Sequence, residues 1–131
     1  KAENAVRVLI VEDNLVNQKL AKMMLSKAGY QVNIANNGKE AFEIYTKNQK
    51  NYDLILMDIN LPDIDGVEAF KRLKNFEETH EVPVIAMSAN AMQKDIDRAM
   101  AEGFKTYITK PVDIIRFRNI IEEELKSATT S

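Results

Sequence analysis

Five short apolar runs alternate with amphipathic stretches along the chain, and this alternation limits the fold more than any other feature. The runs are rich in aliphatic and β-branched residues and predict strands over 6–11, 31–35, 52–57, 82–87 and 105–109. Between and after them, apolar residues recur every three or four positions, as in Val16, Leu20, Met24 and Ala28. This spacing predicts helices over 15–28, 39–48, 67–76, 91–101 and 112–126. Strict alternation predicts an α/β fold with a parallel sheet covered by helices on both faces.

The order of the strands follows from the way parallel strands are connected. Right-handed crossovers make such a sheet doubly wound, and a (βα)₅ chain suggests the flavodoxin-like order 2-1-3-4-5. The run at 31–35 is the least apolar of the five, which suits an edge strand. With 131 residues, the chain fits one domain with a single core. We expect that domain to cover residues 6–126, between an N-terminal tail of 1–5 and a polar C-terminal tail of 127–131.

The composition excludes several functional classes. The chain has no cysteine, which rules out disulfides, thiolate catalysis and cysteine-based metal sites. A formal net charge of -2 gives no reason to expect direct nucleic-acid binding. No apolar run approaches the roughly 20 residues that span a bilayer, so no membrane contact is expected. The single histidine, His80, lies in a polar stretch, and a histidine metal site or a Ser-His-Asp triad has little support.

Polar residues follow four of the predicted strands at the edge where a doubly wound sheet binds its ligands. They are Glu12 and Asp13 after the first strand, Asp58 after the third, Ser88 after the fourth and Lys110 after the fifth. Two carboxylates about 4 Å apart repel each other by on the order of 4 kcal/mol at an effective dielectric of 20. Either the carboxylates take up protons or a cation lies among them. Carboxylate oxygens suit Mg²⁺.

This residue set fits phosphoryl transfer to a carboxylate. Mg²⁺ and Lys110 would form a positively charged cup, the Ser88 hydroxyl would contact the phosphoryl oxygens, and Asp58 would be the nucleophile. Each residue also has a simpler explanation, since an aspartate after a strand is often a helix N-cap. Ser88 alone suggests a turn and Lys110 alone a surface residue. The agreement of four separate strand ends favours the chemical interpretation.

The same residues lie in segments that resemble the receiver domains of two-component response regulators. The segments are Val8 to Asn14 (VLIVEDN), Asp53 to Gly66 (DLILMDINLPDIDG), Val84 to Ala89 (VIAMSA) and Gly103 to Pro111 (GFKTYITKP). They occur in the order and at the spacing of that family, and the resemblance covers residues 6–126. It implies a phosphoacceptor domain of a phosphorelay, with self-phosphorylation and autodephosphorylation as its own activities.

The resemblance assigns roles at the acidic rim. Asp58 is the implied phosphoacceptor. Asp13, Asp58 and the backbone carbonyl of Asn60 are implied to coordinate Mg²⁺ directly, and Glu12 through a water, with Mn²⁺ as an expected substitute. Lys110 is implied to bind the phosphoryl group.

A second set of implied roles concerns the response to phosphorylation. Ser88 is the implied switch hydroxyl and Tyr107 the implied switch aromatic, and together they alter the surface formed by the fourth helix, fifth strand and fifth helix. Asn60 and Asn90 are implied to tune autodephosphorylation. From the residues alone, Tyr107 is better explained as a strand aromatic that packs on the last helix.

The residues after the acidic pair, Asn14-Leu15-Val16-Asn17-Gln18, are similar to those of receivers fused to hybrid sensor histidine kinases. With a first residue that is not Met, this similarity favours an excised receiver of a hybrid kinase, and a stand-alone single-domain response regulator is the alternative. The expected location is cytoplasmic, with tethering to a membrane through a parent kinase as an option.

The resemblance also implies a partner, which is a histidine kinase or a histidine-phosphotransfer domain docked near the first helix. Candidate contacts are Asn17, Lys19, Lys22 and Met23. An equal alternative is that the lysines only solvate the outer face of the helix. A phosphorylation-dependent dimer is a further candidate assembly.

Three other functions compete with a receiver. A phosphatase of the haloacid dehalogenase type also forms an aspartyl phosphate, but it needs a second aspartate where this chain has Asn60. A flavodoxin-like electron carrier needs a phosphate-binding loop after the first strand, where Glu12 and Asp13 would repel the FMN phosphate. An interaction module that keeps the fold and is never phosphorylated stays open.

Overall fold

The computed structural model describes residues 6–47, 52–59, 71, 82–88, 93–109 and 113–130. Its strands are β1 (Arg7–Val11), β2 (Gln31–Ala35), β3 (Leu54–Asp58), β4 (Val84–Ser88) and β5 (Thr106–Thr109). The helices described over these ranges are α1 (Leu15–Lys27), α2 (Gly38–Lys47), α3 (Gln93–Glu102) and α4 (Ile114–Thr130). The helix predicted over 67–76 lies outside the described residues, except for Lys71, which is helical.

The five strands form one parallel sheet in the order β2-β1-β3-β4-β5, which confirms the predicted topology. The register pairs Val11 with Met57, and Asp58 with Met87 on the next strand. The last pair of β4 and β5 joins Ser88 to Thr109. The C-terminal residues of β1, β3, β4 and β5 therefore lie next to one another along one edge of the sheet.

Alternate residues of the central strands point to two separate apolar cores, one on each face of the sheet. One core contains Leu9, Val11, Ile55, Met57, Val84 and Ala86, packed with Ala41 of α2 and Ala99 of α3. The other contains Val8, Ile10, Leu54, Leu56, Ile85 and Met87, packed with Ala21 and Leu25 of α1 and Phe117 of α4. Two cores explain why the strand sequences are apolar at nearly every position rather than at every second one.

Helix α1 begins and ends with local signals that the sequence carries. Asn14 is its N-cap and accepts a hydrogen bond from the amide of Asn17 at 3.0 Å. After the C-cap Ala28, Gly29 adopts a φ of +100°, a backbone conformation that favours glycine. The predicted helix is thus confirmed, but its buried residues are Gln18, Ala21 and Leu25. The four-residue series from Val16 marks a different and largely exposed side.

Helix α4 is anchored by Phe117, which is fully buried and meets the Tyr30 ring edge-on at a centroid distance of 5.7 Å. Its N-terminus is capped by Asp113, whose Oδ1 accepts from the amide of Ile115 at 2.9 Å. The helix continues to Thr130, four residues beyond the end predicted at Lys126. No glycine or proline follows Lys126 to stop the helix. Among the described helices, none is long and apolar enough to cross a membrane.

Candidate functional site

Three carboxylates converge at the carboxyl edge of the sheet. Glu12, Asp13 and Asp58 each offer one oxygen, and these oxygens all lie within 4.8 Å of one another. Glu12 is 1% exposed and Asp58 is 2% exposed, whereas the Asp13 side chain is exposed. The structure thus brings together the acidic set that the sequence predicted on two neighbouring strands.

The convergence follows from the register of β1 and β3. Val11 and Met57 form the last described pair between these two strands. The residues that follow them in the chain, Glu12 and Asp58, therefore lie side by side at the edge of the sheet. The amide of Glu12 donates to the carbonyl of Ala35 at 3.0 Å, which ties this position to the end of β2. One carboxylate oxygen of Glu12 accepts from the amide of Asn14 at 3.0 Å. The acidic loop, residues 12–14, is therefore held through both the backbone amide and the carboxylate of Glu12.

Ser88 is the last residue of β4 and is 2% exposed. Its neighbour Met87 pairs with Asp58, and the carbonyl of Met87 accepts from the amide of Ile59 at 3.0 Å. Ser88 therefore lies one position beyond Asp58 on the adjacent strand.

Tyr107 is half-buried on β5 and packs against the core that contains Met57 and Ala86. The guanidinium of Arg116, on α4, lies 5.8 Å from the centre of the Tyr107 ring. An Nη2 proton of Arg116 also donates to the backbone carbonyl of Tyr107 at 2.9 Å. Tyr107 therefore touches the core on one side and an arginine of the last helix on another.

A buried glutamine at the acidic loop was not predicted as a site residue. Gln18 is 8% exposed, and its Nε2 donates to the backbone carbonyl of Glu12 at 2.6 Å. The sequence signal was a polar residue three positions before Ala21 and seven before Leu25, on the buried side of α1. The four-residue series suggested another side of the helix as buried, so Gln18 stood out in the sequence only as part of the segment Asn14 to Gln18.

Other predicted site residues lie outside the described part of the chain. They are Lys110, Asn60 and Asn90. Their roles stay predictions. For Lys110, the described chain ends next to it at Thr109, which pairs with Ser88.

The described site is an oxygen-rich, partly buried acidic pocket that could bind a metal ion. Its donors are three carboxylates from two strand ends, and this donor set fits a hard divalent cation. Without a cation, three like charges this close would repel each other, by about 1 kcal/mol per pair in water and several times more in a buried setting. The donor chemistry therefore matches the cation site predicted from the sequence.

Comparison with known proteins places this geometry in a family. The chain is 40% identical to the polar-differentiation response regulator DivK of Brucella anthropi, over 92% of this chain and 97% of DivK. It is also 33% identical to a probable histidine kinase 1 of Oryza sativa subsp. indica, over 95% of this chain. That match spans only 16% of the rice protein.

Two solved structures are similar in both sequence and fold. The receiver domain of sensor histidine kinase PA1611 from Pseudomonas aeruginosa, solved with magnesium in its active-site cleft, has a TM-score of 0.81 at 33% identity, over 93% of this chain and 98% of that one. The receiver domain of Ssk1 from Saccharomyces cerevisiae, solved with the histidine phosphotransfer protein Ypd1, has a TM-score of 0.80 at 33% identity, over 91% of this chain and 88% of that one. The family model for the response regulator receiver domain matches residues 8–122 of this chain. The chain belongs to this family, whose members receive phosphoryl groups in two-component phosphorelays.

Proposed function

We propose that this receiver domain accepts a phosphoryl group from phosphohistidine on the carboxylate of Asp58. The observation that carries the proposal is the convergence of Glu12, Asp13 and Asp58 within 4.8 Å at the carboxyl edge of the sheet. Asp58 is the central residue of the site. Its strand, β3, lies between β1, which precedes Glu12, and β4, which ends at Ser88. A buried nucleophile beside other acidic groups suits a transfer that depends on positioning and charge neutralisation.

The reaction forms one bond and breaks another. A carboxylate oxygen of Asp58 attacks the phosphorus of the donor, and the phosphorus–nitrogen bond of the phosphohistidine breaks. The leaving imidazole nitrogen keeps the electron pair and takes a proton from solvent. Asp58 is at the end of a fully buried strand, which holds its side chain in place. A carboxylate nucleophile has no proton to lose, so the reaction needs no general base from the protein.

The divalent cation proposed for this site is Mg²⁺. Asp13 and Asp58 would hold it directly, with the carbonyl of Asn60, and Glu12 would act through a water. When bound, the ion neutralises charge on the phosphoryl oxygens and on the surrounding carboxylates. The presence of magnesium in the cleft of the similar PA1611 receiver supports this choice of ion. Mn²⁺, which also prefers oxygen ligands, is expected to substitute.

The proposed donor is a histidine kinase or a histidine-phosphotransfer domain that docks on the outer face of α1. Leu15 and Val16 are each 65% exposed and Met23 is 51% exposed, so this face presents several apolar side chains to solvent. Helix α1 starts directly after the acidic loop, which places the apolar face next to Asp13. Exposed apolar patches of this kind mark interaction sites. The complex of the similar Ssk1 receiver with Ypd1 supports a phosphotransfer partner.

The proposed output is a change in the surface formed by α3, β5 and α4. New negative charge on Asp58 would attract the Ser88 hydroxyl one position along on β4. Movement of Ser88 would open space beside β5, into which Tyr107 turns. Two packings of one surface, biased by a local charge, are sufficient for a switch.

Two parent proteins fit this domain, an excised receiver of a hybrid kinase and a stand-alone regulator. The match to 16% of the rice kinase supports the first, and the match to 97% of DivK supports the second. Determining the full-length chain decides between them. A kinase core upstream would establish the hybrid origin.

The phosphoacceptor proposal is tested by intact-mass measurement after incubation with acetyl phosphate and Mg²⁺. We expect wild type to gain one phosphoryl group and Asp58→Asn to gain none, since an amide is not a nucleophile here. Asp53→Asn is the matched control, because Asp53 lies just before β3 at the opposite edge of the sheet, and it should label like wild type. Undiminished labelling of Asp58→Asn would refute the assignment.

A further inference from the structure

Four polar side chains are buried among the described residues, and the proposed function uses three of them. Glu12, Asp58 and Ser88 belong to the phosphoacceptor site. The fourth is Gln18, which is 8% exposed and has no part in the proposed chemistry. A buried amide loses its contacts with water, so its retention on the core side of a helix calls for a physical explanation.

Both amide protons of Gln18 are used. Nε2 donates to the backbone carbonyl of Glu12 at 2.6 Å and to Oδ1 of Asn36 at 2.7 Å. The hydrogen-bond partners determine which way the side-chain amides of Gln18 and Asn36 face. The backbone carbonyl of Glu12 can only accept, so Nε2 of Gln18 must face it. Nδ2 of Asn36 donates to a carboxylate oxygen of Glu40 at 2.9 Å, and a carboxylate also only accepts, so Oδ1 of Asn36 must face Gln18.

The contact with Glu12 acts on the backbone between the two acidic residues. The carbonyl that Gln18 holds belongs to the peptide that joins Glu12 to Asp13, and this peptide is planar. Fixing the carbonyl therefore fixes the direction in which the chain enters Asp13. The backbone amide of Gln18 also donates to the carbonyl of Asn14 at 2.9 Å, so one residue holds both ends of the loop.

The network extends from the loop to a second helix. The same carboxylate oxygen of Glu40, near the start of α2, accepts from the backbone amide of Asn36 at 2.6 Å. Asn36 directly follows β2, and the amide of Glu12 is bonded to Ala35 at the end of that strand. Gln18 thus connects α1 to the ends of β1 and β2, which together surround the acidic loop.

We propose that Gln18 is a positioning residue that sets the orientation of the Glu12–Asp13 loop for a divalent cation. It acts through the backbone of the loop and does not itself coordinate the ion. The inference rests on the proposed function, in which Asp13 and Glu12 hold Mg²⁺. Residues that orient metal ligands in this way typically change metal affinity by 10- to 100-fold when they are replaced.

A purely structural role predicts a different result. If Gln18 only filled space or stabilised α1, its loss would lower stability and leave the affinity for Mg²⁺ unchanged. Gln18→Met keeps the length of the side chain and removes both donors. Leu25→Ala is the matched control, because it weakens the buried side of the same helix about two turns beyond Gln18.

The first measurement is the Mg²⁺ dissociation constant by calorimetric titration, with wild type, Gln18→Met and Leu25→Ala side by side. We expect Gln18→Met to bind Mg²⁺ at least about tenfold more weakly, and Leu25→Ala to bind it as wild type does despite a lower unfolding midpoint. Phosphorylation of Gln18→Met by acetyl phosphate should recover at saturating Mg²⁺, since Asp58 itself is unchanged.

The second measurement uses the metal-free chain and amide hydrogen exchange. In Gln18→Met, the amide of Asn14, which donates to Glu12, should exchange faster, and that of Leu25 should not.

Asn36→Ala, at an exposed position, provides a variant that leaves the core intact. It removes the second acceptor of the Gln18 amide, and we expect a smaller loss of Mg²⁺ affinity in the same direction.

The outcomes separate this inference from the proposed function. Wild-type affinity for Mg²⁺ in both Gln18→Met and Asn36→Ala would overturn the role of Gln18 and leave the phosphoacceptor site standing. Equal losses of affinity in Gln18→Met and Leu25→Ala would also overturn it, since any destabilisation of α1 would then suffice. A wild-type chain that binds no Mg²⁺ would overturn the proposed cation site and this inference together.

Discussion

At the scale of single residues, Arg116 contacts Tyr107 through both the ring and the backbone. It stacks over the ring at 5.8 Å and donates to the carbonyl of the same residue at 2.9 Å. The first contact depends on where the ring lies, and the second holds the backbone from which the ring turns. A cation over an aromatic ring at a partly exposed site contributes about 0.5–1 kcal/mol.

We therefore predict that Arg116→Met makes the Tyr107 ring more mobile and lowers the free energy of unfolding by about 0.5–1 kcal/mol. The change keeps the aliphatic stem and removes the charge and the donors. Ring resonances of Tyr107 report the effect, and Arg118→Met, at an exposed position on the same helix, is the control. Identical ring resonances in Arg116→Met and wild type would contradict the prediction.

The sequence predicted which residues lie at the site better than which residues support them. Glu12, Asp58 and Ser88 could be found because a polar residue directly after an apolar strand is conspicuous. Gln18 and Arg116 lie inside helices, where polar residues are common. Their importance depends on distances to other elements, which the spacing of residues along a single helix does not give.

At the scale of elements, α1 has two sides with different tasks. One side is buried through Gln18, Ala21 and Leu25. The opposite side leaves apolar residues in water, at Leu15, Val16, Leu20 and Met23. The sequence predicted the helix but could not tell the sides apart, because both carry apolar residues at helical spacing and only the packing against the sheet distinguishes them.

We predict that Val16→Glu slows phosphoryl transfer from a phosphohistidine protein and leaves labelling by acetyl phosphate unchanged. A charge in the centre of an apolar docking face costs interface energy, whereas a small donor does not need that face. Among interface residues, a minority near the well-packed centre cost more than about 1 kcal/mol when they are truncated, or about fivefold in affinity, and a buried charge at such a position should cost at least as much.

Ile115→Glu is the matched control for this experiment, since Ile115 is 70% exposed on α4 and Val16 is 65% exposed on α1. Both variants add the same charge at an exposed apolar position. Equal rates of transfer to the two variants would show that α1 is not the docking element. Loss of labelling by acetyl phosphate in Val16→Glu would show damage to the site instead.

At the scale of the whole molecule, the crowded carboxylates of the site lower the free energy of unfolding of the metal-free chain. Three carboxylate oxygens within 4.8 Å repel each other, and two of the side chains are buried. The cores on the two faces of the sheet must outweigh this repulsion whenever no cation is bound.

We predict that Asp58→Asn raises the free energy of unfolding of the metal-free chain by about 1–4 kcal/mol, because it removes one of three neighbouring charges. In wild type, Mg²⁺ at about 100 times its dissociation constant should add about 2.7 kcal/mol, and it should add far less in the variant. Urea unfolding with and without Mg²⁺ measures both effects.

The control for this measurement is Asp53→Asn, which removes a charge at the opposite edge of the sheet, where Asp53 accepts from the amide of Arg7 at 2.9 Å. It should change stability by less than about 0.5 kcal/mol. A stabilisation as large as that of Asp58→Asn would mean that overall charge, and not the crowded site, is responsible.

The alternation of apolar runs was sufficient to predict the five strands, their order and the helices that the structure describes. It was not sufficient at the C-terminal end, where the chain stays helical to Thr130. A polar composition after Lys126 suggested a tail, but the end of a helix depends on a stop signal, and the segment has none.

The order of the strands also has a consequence for the synthesis of the protein on the ribosome. All five residues of β4 are buried, and in the described sheet its outer edge pairs with β5, the strand that follows it in the chain. Until Thr106–Thr109 emerges, followed by the helix that carries Phe117, a nascent chain presents an open, apolar strand edge to its neighbours. Premature termination shortly before β5 would therefore yield a fragment prone to aggregation, although it already contains Asp58 and both acidic partners.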